Sequence, residues 1–238
     1  MAARRVSRPR IWRRRAILAG AVALIVVLGY LLWLRDSSWF AIEKVEVEGL
    51  TANQQEISAS LAIAAKDMTT LHIDDEKLRD AVAGYPTVAS IKADATLLHK
   101  LKIEVTERLP VAVGTVDGRQ VAVSEDGFVL LGLDFDPKEL PSLDPGETQG
   151  PALSEEGAAQ AAILGATPDE LQDRLSSAIW DEERGGVVVD LDGAPELRFG
   201  DGEDAAEKWK AVAAVLTDPE LGSPFYVDVS VPGRPVAG

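Results

Sequence analysis

In Ile42-Glu43-Lys44-Val45-Glu46-Val47-Glu48-Gly49, Val45 and Val47 share one face with charged residues between them, the period of a half-buried strand that Gly49 ends. Downstream, Thr51 with Gln54 three residues later has the form of a capping box, and Ile57, Leu61, Ala64 and Ala65 follow at helical spacing. Asp74 and Asp75 suit the cap of a second helix, whose apolar stripe is Leu78, Ala81, Val82 and Tyr85 before Gly84 and Pro86 stop it. Strands are expected over 88–97 and 101–107, joined near Leu98-His99-Lys100. The order β-α-α-β-β predicts a small α+β unit over 39–108, two helices covering one face of a three-stranded sheet.

Upstream, the first fifteen residues hold Arg4, Arg5, Arg8, Arg10, Arg13, Arg14 and Arg15 and no acid. Residues 16–34 then contain no ionisable acid or base, and as a helix they extend roughly 28 Å, close to the hydrocarbon thickness of a bilayer. This predicts a single transmembrane helix over 16–34 with a basic cytoplasmic tail over 1–15, because arginines hold their flank inside. Tyr30, Trp33, Trp39 and Phe40 suit the outer interface. A cleaved signal peptide fits less well: the apolar run exceeds a signal h-region, and Leu34-Arg-Asp-Ser-Ser-Trp-Phe40 offers no small-x-small site.

The net charge of -15 hides this division, for beyond Arg35 there are 16 Lys and Arg against 39 Asp and Glu. So acidic a body is a poor partner for nucleic acid, where binding begins with neutralised phosphates. The chain has no cysteine, which excludes disulfides, thiolate nucleophiles, zinc-thiolate sites and iron–sulfur clusters.

The second module, 109–232, alternates strand-like runs with turn dipeptides: 111–116, Asp117-Gly118, 121–123, Asp126-Gly127, 128–131. Residues 134–150 have the composition of a surface loop. Ser154 is placed to cap a helix over 155–164, and Thr167-Pro168 to open another over 169–175. Strands near 178–181, 187–191 and 196–199, a helix over 205–216 and a last strand over 225–231 complete a mostly antiparallel β domain with flanking helices, leaving 233–238 as a tail.

Val45-Glu-Val-Glu-Gly49, Tyr85-Pro-Thr-Val88 and, most specifically, Val105-Thr-Glu-Arg-Leu-Pro-Val-Ala112 resemble the POTRA domain and its exit in the FtsQ/DivIB family of bacterial cell division proteins. The resemblance continues through Asp126-Gly-Phe-Val129, Glu139-Leu-Pro141 and Tyr226-Val-Asp-Val-Ser-Val-Pro232. It implies a non-catalytic, single-pass scaffold of the divisome at the septal cell membrane, its body outside the cytoplasm and without a cofactor. The implied partners are FtsB/DivIC-type and FtsL-type coiled-coil subunits, with septal peptidoglycan synthase subunits beyond them. The chain departs from the family where many members carry V-x-R-x-W-P-x-T-L, having Ile91-Lys-Ala-Asp-Ala-Thr-Leu-Leu-His-Lys-Leu101 instead.

The motifs of enzymes are missing: no Ser with Lys three residues on, no G-x-S-x-G, no H-E-x-x-H and no phosphate loop. An anchored wall enzyme therefore lacks a nucleophile signature, and a POTRA-bearing outer-membrane assembly factor lacks its barrel strands. His72 and His99 are expected at the surface, the acid pairs Asp74/Asp75 and Glu155/Glu156 at helix starts, and Asp190-Leu-Asp-Gly193 in a hairpin turn. Recognition remains, and the last strand is its candidate surface. Phe225, Val227, Val229 and Val231 alternate with Tyr226, Asp228 and Ser230, so one face can be buried while the other stays accessible. At a sheet edge such a strand can take a strand from another chain. The family resemblance assigns partner binding to Tyr226, Val227, Asp228, Val229, Ser230 and Val231, although Ser230 stands where proteobacterial members typically have Arg.

Overall fold

A computed structural model describes residues 9–30, 38–96, 99–148, 150–218, 222 and 224–238. The first helix, α1, runs Pro9–Gly29 and takes in Arg10, Arg13, Arg14 and Arg15, so its uncharged stretch is 16–29. Ile17, Leu18, Leu24 and Ile25 on it are exposed. Among the described residues no helix is long and apolar enough to cross a membrane. Residues 31–34, the far end of the expected span, and 1–8 of the basic tail lie outside the described residues.

The chain divides into two compact units, one of residues 1–48, 55–82 and 91–104, the other of 49–54, 83–90 and 105–238. The expected β-α-α-β-β order is present: β1 Lys44–Glu48, α2 Gln54–Ala65, α3 Asp75–Val82, β2 Val88–Thr96 and β3 Lys100–Glu107. The sheet order is β1-β3-β2, with β1 parallel to β3 in the register Val45↔Leu101 and Val47↔Ile103. Ile57, Leu61, Ala64 and Ala65 of α2, Leu78 and Val82 of α3, and Leu101 and Ile103 of β3 are buried. Asp74 caps α3 as expected, accepting from the Lys77 N–H at 3.0 Å. The capping box at Thr51 is corrected. Asn53 enters α2 at φ 50°, and the Thr51 hydroxyl donates to Glu107 instead.

In the second unit β4 Pro110–Val116 and β5 Arg119–Ser124 form a hairpin, turned by Asp117 and Gly118 at φ 49° and 73°. Next come β6 Ser142–Leu143, α4 Glu155–Gly165, α5 Asp169–Gln172, β7 Leu175–Asp181, β8 Gly186–Leu191 and β9 Glu196–Gly200. The chain continues through α6 Ala205–Leu216, β10 Tyr226–Asp228 and β11 Val236–Ala237. All eight strands make one sheet in the order β11-β10-β9-β8-β7-β6-β4-β5.

Three expectations change here. Residues 134–150, expected as surface loop, contain β6, which pairs parallel with both β4 and β7 and joins the hairpin to the meander. Its exit is fixed by buried Gln160 of α4, whose amide accepts from the Asp144 N–H at 2.9 Å and donates to the Asp144 carbonyl at 3.0 Å. The sheet itself is mostly antiparallel as expected, in four of its seven pairings, with β4–β6, β6–β7 and β9–β10 parallel. Residues 128–131 make isolated bridges, not a strand, and the helix expected over 169–175 ends at Gln172 because β7 begins at Leu175.

Buried residues of α4 and α6 cluster with those of the sheet. Trp209 of α6, fully buried, tilts against Phe199 with ring centroids 4.8 Å apart and donates its indole N–H to the Ile163 carbonyl at 2.8 Å. The indole's polar atom is thus satisfied inside the core. Lys208 beside it, 2% exposed, keeps its ammonium on Asp201 Oδ1 at 2.5 Å, and that bond holds the Asp201 carboxyl below the usual range.

The Val105–Ala112 motif now has a physical meaning. Glu107 accepts from the Thr51 N–H at 3.0 Å, the Ala52 N–H at 2.9 Å and the Thr51 hydroxyl. Gly49 permits the approach: at φ 89°, a Cβ there would lie 2.1 Å from the Val105 carbonyl oxygen. Arg108 donates to the carbonyls of Pro86, at 2.8 Å, and Val88. It also donates to Asp126 Oδ2 at 2.8 Å and stacks 4.1 Å over the Phe128 ring. Partial burial alone would raise the Asp126 pKa, but hydrogen bonds from Ser124 and Arg108 outweigh it and hold the carboxyl low.

Arg108→Ala should cost about 2–3 kcal/mol in denaturant unfolding, since two carbonyls and a carboxylate lose their donor. Lys should rescue only part, because an ammonium cannot fork between them. With its folded pKa depressed, Asp126 stabilises the fold above the ordinary value of 3.8, and this contribution fades as pH falls through the lower folded value. An Asp126→Asn chain should therefore show a shallower loss of stability in acid titration than the parent.

Candidate functional site

The candidate recognition strand is carried to its position by α6, which leads from β9 to β10. The register of this parallel pair is Tyr226↔Glu196, Val227↔Leu197 and Asp228↔Arg198. Backbone bonds extend it at both ends, from the Glu196 N–H to the Phe225 carbonyl at 3.2 Å and from the Val229 N–H to the Arg198 carbonyl at 2.8 Å. Val227 and Val229 are fully buried in the core cluster. The wider apolar face expected from alternation is corrected: Phe225 is 89% exposed and Val231 57%. Regular pairing ends at Asp228, one further bond holds Val229, and Ser230 turns the chain away, so the alternation of the sequence outlasts the strand.

The opposite face is polar and organised. Tyr226 lies under the Arg198 guanidinium, whose Cζ is 4.1 Å from the ring centroid, a cation–π arrangement. Arg198 is tied to Glu196 Oε1 at 2.7 Å, and Arg184 reaches the same oxygen at 3.0 Å while also pairing with Asp181. Arg198, then Arg184, hold the Glu196 carboxyl below its usual range. Asp228 Oδ1 accepts from the Ser230 N–H at 2.9 Å and its hydroxyl at 2.7 Å. Ser230, expected as a partner-binding position, therefore spends its side chain on a local turn. Glu196, Arg198 and Arg184 were not singled out from the sequence. Their signal was the alternation Glu196-Leu-Arg198, which puts both charges on the face of Tyr226.

The edge of β10 expected to stand open is occupied. β11 pairs with it antiparallel, Val227↔Ala237 and Asp228↔Val236, and Tyr226 and Gly238 exchange N–H···O bonds of 3.1 and 3.2 Å. Residues 226–231 thus divide into a paired strand, 226–228, a buried continuation at Val229, and an outgoing turn at Ser230 and Val231.

Elsewhere the other sequence features resolve locally. His99 Nδ1 lies 2.9 Å from the Ala41 carbonyl. Ser154 caps α4 by accepting from the Gly157 N–H at 3.0 Å, with Glu155 and Glu156 in its first turn. Asp192-Gly193 turns the chain between β8 and β9, and the Asp192 carbonyl accepts from Arg174 Nε at 2.9 Å. Among the described residues no group of three His, Asp or Glu side chains is arranged to hold a metal ion. A cleft of 860 Å³ is lined by Glu155, Glu156, Trp180, Asp201 and Glu203, and the Asp201 carboxylate in it is engaged by Lys208.

Comparison with known proteins agrees with the β-α-α-β-β unit and extends beyond it. The family model for the POTRA domain, FtsQ-type, matches residues 40–108. The cell division protein FtsQ of Streptomyces venezuelae is 27% identical over 248 residues, covering 97% of this chain and 89% of the relative. FtsQ of Streptomyces coelicolor is 26% identical, covering 98% and 91%. FtsQ of Mycolicibacterium smegmatis is 29% identical, covering 89% of this chain and 61% of the relative. Among solved structures, the major extracytoplasmic domain of the trans isomer of the cell division protein DivIB from Geobacillus stearothermophilus matches with a TM-score of 0.33 and 18% identity, over 49% of this chain and 98% of that one. The chain thus carries a POTRA domain of the FtsQ type and is similar along nearly its whole length to FtsQ cell division proteins.

Proposed function

We propose that this chain is a non-catalytic, single-pass scaffold of the divisome. It docks FtsB/DivIC-type and FtsL-type coiled-coil subunits through the region of β10 and thereby helps regulate septal peptidoglycan synthesis. The observation that carries the reading is the near full-length alignment with division proteins, which spans the POTRA domain and the mixed sheet alike. In this reading residues 16–34 anchor the chain in the cell membrane at the septum, the arginine-rich tail lies in the cytoplasm and the acidic body lies outside. The helical, uncharged stretch 16–29 with its exposed apolar side chains supports the anchor. Docking near β10 is supported by exposed Phe225 and Val231 at the two ends of a strand held on its outer side by only two paired residues.

A fluorescent fusion of the full chain should form a mid-cell band in dividing cells, and a uniform outline would contradict the reading. Phe225→Asp with Val231→Asp should weaken co-purification of the coiled-coil subunit at least about tenfold while leaving the unfolding midpoint in place, since both side chains are exposed and interface anchors dominate binding. Val229→Pro is expected to behave differently. The Val229 N–H bonds the Arg198 carbonyl inside the sheet, so this change should cost about 1–3 kcal/mol of stability and reports on the fold, not on the edge.

A further inference from the structure

Among the described residues between 38 and 108, the large apolar side chains that stand exposed are Trp39 at 76%, Ile63 at 73% and Leu71 at 37%. All of them gather at one end of the POTRA unit. β1 and β3 run parallel and both begin there, at Lys44↔Lys100, while α2 runs toward it and ends at Ala65, two residues past Ile63. The entering chain is clamped at this end from both sides. The Ile42 N–H bonds the Met68 carbonyl at 3.2 Å, the Phe40 carbonyl accepts from Thr70 at 2.8 Å, and the His99 carbonyl accepts from Glu43 and Lys44 at 2.8 and 3.1 Å. The antiparallel bridge Ala41↔Thr69 continues outward through the Phe40–Thr70 bond, which places Trp39 next to the turn that carries Leu71. A single exposed apolar side chain needs no explanation, but three at one end of a small unit mark a surface that something covers.

We infer that this end of the POTRA unit rests in the outer interface of the bilayer, with Trp39, Ile63 and Leu71 inserted among the lipid head groups. The inference rests on the proposed anchoring of residues 16–34. What commits the surface to lipid is the length of the tether. Trp39 lies five residues past Leu34, the end of the uncharged run, so even an extended chain carries it at most about 18 Å from that point. A surface tethered so near the bilayer meets lipid at an effective concentration that no untethered partner matches. Residue type agrees, because Trp is favoured at the membrane–water interface and interfacial helices bury apolar side chains there to a depth of about 5–10 Å. Charge does not oppose entry: exposed Lys66 and Lys100 at this end are matched by exposed Glu43 and Asp67. The contact is therefore carried by apolar side chains and requires no anionic lipid. Because residues 40–44 are bonded to both of their neighbours, the insertion orients the whole unit and sets its sheet at a fixed height above the bilayer.

The absence of cysteine lets single nitroxide labels report on depth. The full-length chain is reconstituted in phosphatidylcholine nanodiscs with one label at Ile63→Cys, Leu71→Cys, Glu56→Cys or Leu24→Cys. Each label's collisions with oxygen, which concentrates in lipid, are compared with its collisions with a water-soluble nickel chelate. All four side chains are exposed, so labelling leaves the core intact. Glu56 is the control within the unit: it shares a face of α2 with Ile63 but lies seven residues, roughly 10 Å, further from the end that meets lipid. Oxygen collisions should exceed nickel collisions at 24, 63 and 71, and the order should reverse at 56. Nickel in excess at 63 or 71 with oxygen in excess at 24 would overturn the seating and leave the anchor standing. Oxygen in excess at 56 as well would overturn it too, because the label and not the surface would then be choosing lipid. Nickel in excess at 24 would remove the anchor reading and this inference with it.

Discussion

A β-strand has two edges, and in a folded protein both rows of backbone donors and acceptors must find partners or water. For residues 226–228 one row is satisfied by β9 in parallel register, which α6 makes possible by carrying the chain from β9 to β10. Trp209 ties α6 to the sheet through Phe199 and to α4 through the Ile163 carbonyl, so the inner edge of β10 rests on a packed layer. The outer row has only the short return of 236–238. That asymmetry, one edge built into the core and the other closed mainly by main-chain bonds, sets the two sides of β10 apart.

The Glu107–Arg108 pair shows how a short motif can encode a junction of the chain. Adjacent residues alternate in direction as they leave β3, so the carboxylate reaches Thr51 and Ala52 while the guanidinium reaches Pro86, Val88, Asp126 and Phe128. A single Arg supplies the forked donors that two carbonyls and a carboxylate require, together with a flat face for an aromatic ring. Thr51, Ala52, Pro86, Val88, Asp126 and Phe128 are thereby gathered by two adjacent side chains.

The elements legible in the sequence were those with a period or a cap. The spacing of Ile57, Leu61 and Ala64, the cap at Asp74, the Ser154 start and the helix over 205–216 all reappear in the structure. β6 was invisible because two residues between Pro141 and Pro145 have no period, and what holds them is Gln160 reaching in from α4. Thr51 looked like a cap because its hydroxyl suits one, but a charged acceptor at Glu107 competes for it. At the candidate site, the burial of Val227 and Val229 was legible from alternation, whereas the strand's end at Ser230 and its covered edge depend on the Asp228 turn and on residues eight to twelve positions further along, which local pattern cannot register.

The docking claim is tested most directly in dividing cells, with a photo-crosslinking amino acid placed at Phe225 and, as a comparison, at exposed Leu109 of the full-length chain. The account predicts adducts to the FtsB/DivIC-type subunit from position 225 and none from 109. Adducts absent at 225, or equally abundant at both positions, would contradict it.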